Sequence, residues 1–186
     1  MTASWRRYAE ARGFDYAPQQ AIGSGGRRRP VLVVSGPVMR GAVQGIELHV
    51  RTLQLGKKTC SRVQGRAVAP LPLGVIARST TNLPGEPHVF PAEMRLADLA
   101  TTDDLFDRAF TTKVTEPGAV RTILGERVRT ALVDLVSRRS AAAFFYDRGL
   151  SGVVWDGIEA DDAVVDLAVE IVILACTWRG GVSEYR

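Results

Sequence analysis

Apolar residues between positions 20 and 78 come in short runs broken by Gly and Pro, and in one of them the alternation is strict. Ile46, Leu48 and Val50 are interleaved with Glu47, His49 and Arg51, the period of a strand with one face on a core and one in water. The runs Arg29 to Ser35, Gly45 to Leu55, Lys58 to Ala69 and Val75 to Arg78 therefore predict an antiparallel meander. Phe110, Thr112 and Val114 alternate as a further strand. Ala141 to Tyr146 and Val153 to Ile158 flank Asp147 to Ser151, which predicts a hairpin with Gly149 at its tight position.

Helical spacing takes over in three places. Trp5, Tyr8 and Ala9 mark a short helix over residues 4 to 12, stopped by Gly13. Val120, Ile123, Leu124, Val128, Leu132, Leu135 and Val136 recur at steps of three and four, which predicts one amphipathic helix of about five turns. The last helix runs from about Asp161 to Trp178, with Asp161 or Asp162 as its N-cap and Gly180 beyond its end. Helix, strands, helix, hairpin, helix is not the steady alternation of a parallel sheet. The expected fold is α+β, a meander and C-terminal hairpin packed against two long helices with a short N-terminal helix, in a single domain over 1–186. Thr80 to Pro91, with Asn82, Pro84, Gly85 and Pro87, is expected to be an exposed loop suited to binding a partner.

Apolar residues cover most of the circumference of the last helix, which is the mark of burial on more than one side. It is either the central helix of the fold or part of a subunit interface, for which Ile171, Leu174 and Trp178 are the candidate residues, the tryptophan as anchor.

With 186 residues, 46% of them apolar, the chain can bury a full core without disulfides or metals. Met1 to Arg12 has no apolar stretch of the signal-peptide kind. The run Ala163 to Trp178 is interrupted by Asp166 and Glu170, short of the ~20 apolar residues of a membrane span. A cytoplasmic protein without a membrane span is expected. Cys60 and Cys176 stand alone and read as reduced thiols. Net charge is +4, and Lys57, Lys58 and Lys113 are the only lysines among 24 basic residues. This permits an acidic partner without demanding one.

Gly23 to Gly26 followed by Arg27, Arg28 and Arg29 could cradle phosphate or a nucleic-acid backbone, because glycines free backbone N–H groups and arginines pair with phosphate. The spacing is neither GxxxxGK[ST] nor GxGxxG, and a strand follows. A hairpin turn with solvated arginines is the simpler reading. Asp162, Asp166 and Glu170 stack on one helix face, a stripe that serves as well to meet water as to hold a cation. His49 falls on the wet register of its strand and His88 in the loop. Cys60 beside Lys57 and Lys58 is a weak nucleophile candidate. In Asp103 to Phe110, Phe106 and Phe110 are expected to face the core with the acids solvated.

No catalytic, metal or nucleotide motif stands at its required spacing, and no cofactor is expected. The expected function is a non-catalytic protein-interaction or assembly module, with a protein partner or self-association. Phosphate or nucleic-acid binding, and an enzyme whose site assembles only in space, remain as alternatives.

Overall fold

The computed structural model describes residues 2–18, 36–55, 57–81, 83 and 86–177. In chain order the elements are α1 Thr2–Arg12, β1 Asp15–Ala17, β2 Val38–Val43, β3 Ile46–Leu55, β4 Lys58–Arg66, β5 Gly74–Ser79, β6 Ala97–Asp98, α2 Asp104–Ala109, β7 Phe110–Val114, α3 Gly118–Ile123, α4 Glu126–Arg138, β8 Ala142–Asp147, β9 Leu150–Asp156 and α5 Asp162–Cys176. The fold is α+β. The strands join into one nine-stranded sheet in the order β1-β2-β3-β4-β9-β8-β5-β7-β6, and every neighbouring pair is antiparallel.

Strand β3 follows the apolar alternation over its first half, while β8 and β9 are continuous buried runs. The hairpin turns through Arg148 and Gly149, both at positive φ (47° and 92°), as a two-residue primed turn requires. It does not append to the sheet edge. It inserts between β4 and β5.

One sheet face carries Leu48, Val50, Val63, Phe144, Tyr146, Val153 and Trp155 into the main core. Trp5 of α1, Phe106 of α2, Ile123 of α3, Leu132 and Leu135 of α4 and Val165, Ala168 and Val172 of α5 close over it. A buried carboxylate locks the end of this layer. Glu159, 3% exposed, receives both Arg139 donors at 2.8 and 2.6 Å, Trp155 Nε1 at 2.9 Å and the backbone N–H groups of Ala160 and Asp161. Its own N–H donates to Ser61 Oγ at 2.9 Å, and its carbonyl accepts from Trp5 Nε1 at 2.5 Å.

Several expectations change. The long amphipathic helix is broken: Leu124 leaves helical geometry (φ −97°, ψ 43°) and extended Gly125 (ψ 163°) starts α4 afresh, since glycine is a poor helix former. The acids of Asp103–Phe110 are not simply solvated. Asp103 caps α2 by accepting from the Phe106 N–H at 3.1 Å and pairs with Arg129 at 2.9 Å, and Asp107 accepts from the Thr101 N–H and hydroxyl. Phe106 and Phe110 are buried as expected. Strand β2 is masked in the sequence by Gly41, where the Phe14 ring would lie 2.1 Å from any Cβ. The Arg29 to Ser35 strand lies outside the described residues. No helix among the described residues is long and apolar enough to cross a membrane.

Candidate functional site

The face opposite the helices is covered only in part. Leu53, Leu55, Cys60, Ala143, Phe145 and Val154 form a second, smaller core there, sealed by Leu83 with Phe90 against it. The Thr80 to Pro91 segment is therefore not exposed throughout: its apolar residues lie down on the sheet, and Val89 is the one that stands out in solvent among those described.

Beside this core, strand register assembles a group of polar side chains. Arg51 of β3 lies directly opposite Arg62 of β4, and His49 opposite Gln64. Across the hairpin Phe145 faces Gly152, and the missing side chain is what admits the ring, because a Cβ at Gly152 would come within 2.4 Å of it. The Arg62 guanidinium stands 4.7 Å from the Phe145 ring centroid. The His88 imidazole stacks on the same ring at 4.3 Å, 1° from parallel, with its edge toward Phe90. His88 Nε2 lies 2.8 Å from Asp147 Oδ2, and Arg148 Nε donates to the other carboxylate oxygen at 3.2 Å.

The electrostatics of this group are uneven. Arg51 Nη2 donates to Gln64 Oε1 at 3.0 Å, and Arg62 Nη1 reaches the Pro87 carbonyl at 3.5 Å, a long contact. The Nε of both arginines is buried without a hydrogen-bond partner. Arg62 is 3% exposed. Burial, with the neighbouring Arg51 adding to it, pushes its guanidinium down to about 9. Burial also lowers Arg51. His88 is held below its ordinary value by burial, which outweighs the Asp147 hydrogen bond. His49 is lowered by burial and then by Arg40 and Arg51.

Of the residues singled out from sequence, His49 and His88 belong to this group and Cys60 to the small core beside it. Arg27, Arg28, Arg29 and Trp178 are outside the described residues. Ile171 is fully buried in the main core and Leu174 half-buried against it. Of the carboxylate stripe, Asp166 accepts from Tyr8 Oη at 2.7 Å and pairs with Arg12, and Glu170 pairs with Arg127 at 3.5 Å. Cys60 and Cys176 are both buried, and burial raises them to about 11 and about 12, so neither is a thiolate at neutral pH. His49 is half-buried on the polar face of β3, as its register predicts. Sequence reasoning missed Arg51 and Arg62 as a pair. The only signal for Arg62 is an arginine inside the β-prone run Lys58 to Ala69.

No family model and no curated protein matches the chain. Among solved structures, the crystal structure of the mycobacterial trehalose monomycolate transport factor A, TtfA, is similar, with a TM-score of 0.64 and 14% identity over 93% of this chain and 90% of that one. That likeness is one of fold.

Proposed function

We propose that the protein is a non-catalytic interaction or assembly module that engages its partner through the sheet face opposite the helices. The observation that carries this reading is the polar strip Arg40, His49, Arg51, Gln64, Arg62, three of its members arginines, held in fixed register on three paired strands. A rigid sheet holds such donors in place at little entropic cost on binding. The nearby thiol and imidazole are poor agents of catalysis: burial raises Cys60 and lowers His88, and the ring of His88 is occupied by Phe145 and Asp147. TtfA is described as a transport factor, and a binding role for this chain is in keeping with that. A cytoplasmic location is part of the proposal. A second reading, recognition of a phosphate-bearing ligand, is favoured by the two buried arginine Nε groups that lack a partner.

The test is a comparative capture experiment. Full-length tagged protein, an Arg40→Glu/His49→Glu variant on the open face and an Arg127→Glu variant on the helix side are used to capture partners from the native cytosol, with self-association followed by sedimentation. The open-face variant is expected to lose the partner that the other two retain. Loss by Arg127→Glu with retention by the open-face variant would move the interface to α4 and α5.

A further inference from the structure

We infer that Arg51 and Arg62, with Gln64, form a seat for a doubly charged tetrahedral oxyanion, a phosphate. The inference deepens the reading of this face as the binding surface and rests on it.

Arg51 and Arg62 are direct cross-strand neighbours, which places their Cβ atoms about 5 Å apart. Like charges in that relation repel, and the burial of Arg62 with the partial burial of Arg51 removes much of the water that would screen them. A fold that placed them there for packing alone would supply a carboxylate. Among the described residues none lies within ion-pair distance of either; the nearby carboxylate of Asp147 is taken by His88 and Arg148. The Phe145 ring lies against the Arg62 guanidinium at 4.7 Å. An aromatic ring offers no lone pair in place of a carboxylate, and Nε of each arginine remains buried and unpartnered. Because Gln64 Oε1 accepts from Arg51, its amide nitrogen is left as a further donor. Arg51 and Gln64 are half-buried while Arg62 is enclosed, so Arg51 and Gln64 form the more exposed side of the pair. Two adjacent guanidinium groups call for two negative charges, and a phosphate supplies them with oxygens for several donors at once.

The experiment is a melting and calorimetric titration of the full chain with inorganic phosphate and with glycerol 3-phosphate, against sodium chloride of equal ionic strength. It is run on the wild type, Arg62→Met, Arg51→Met and the distant control Arg127→Met. The wild type and the control are expected to gain about 5–10 °C in melting temperature at ~100 times the Kd, and both methionine variants at the site to gain nothing. Without phosphate, Arg62→Met is expected to melt no lower than the wild type, since an unpaired buried charge has been removed. A response to the ester alone assigns the seat to a phosphorylated head group, and a response to both ligands to phosphate in general. Equal gains in all four proteins, or none in the wild type, overturn the seat. Should Arg62→Met fail to fold, half-buried Arg51→Met decides the same question. Loss of the seat while partner capture still depends on Arg40 and His49 would refute the oxyanion and leave the binding face standing.

Discussion

Glu159 is a charge that its surroundings fully answer, and Arg62 is one that they do not. Burial alone would raise the Glu159 carboxyl, but Arg139 and the donors from Asp161, Trp155 and Ala160 outweigh it and hold the group below its ordinary range. Replacing it with alanine leaves the guanidinium of Arg139 half-buried without its carboxylate, and chemical denaturation is expected to show a loss of about 3–5 kcal/mol. The depressed folded-state value also sets a direction with pH. The contribution of Glu159 is complete above the unfolded carboxyl value of ~4.3 and drains away as pH falls through the lower folded value. Denaturation midpoints measured from neutrality downward should fall more steeply for the wild type than for Glu159→Gln. Neither site is legible as a site in the sequence. The period of β3 puts Glu47, His49 and Arg51 on the wet face correctly, but nothing in spacing pairs Arg51 with Arg62, and Glu159 meets Trp5 and Ser61 across most of the chain.

Elements are legible where one periodicity runs unbroken. Strand β3 shows it, and so does α5, whose N-cap Asp161 accepts from the Ala163 N–H; β8 and β9 are legible instead as unbroken apolar runs. They blur where a glycine interrupts the local pattern. Gly41 makes room for Phe14 and Gly125 restarts a helix, so β2 escapes the pattern and α3 and α4 read as one. Gly152, inside β9, is the glycine most consequential for the proposed seat. Gly152→Ala would set a methyl 2.4 Å from the Phe145 ring and 3.1 Å from the Val63 carbonyl. An overpacking cost of about 1–3 kcal/mol is expected in urea unfolding, together with a weaker response to phosphate as Phe145 is pushed from beneath Arg62. An unchanged response would show that the aromatic platform is dispensable.

For the molecule as a whole, the centre of the sheet joins strands far apart in sequence, β4 to β9 and β5 to β8. β4, β9, β8 and β5 occupy the middle, whereas β1 and β6 are short strands at the rims. Native-state hydrogen exchange is expected to release β1 and β6 first and the four central strands last, at the free energy of global unfolding. Early exchange of β5 with β7 would show instead that the sheet opens as two halves. The inserted hairpin also bears on how the chain is made. While the ribosome has delivered the protein only as far as β7, the strands β4 and β5 stand with bare inner edges and nothing to join them. Closure waits for residues 142–156, and naked strand edges are templates for mispairing. The nascent chain therefore holds an open wound in its sheet from the completion of β5 at Ser79 until β9 ends at Asp156, and a chaperone that shields strand edges would act on it during that interval.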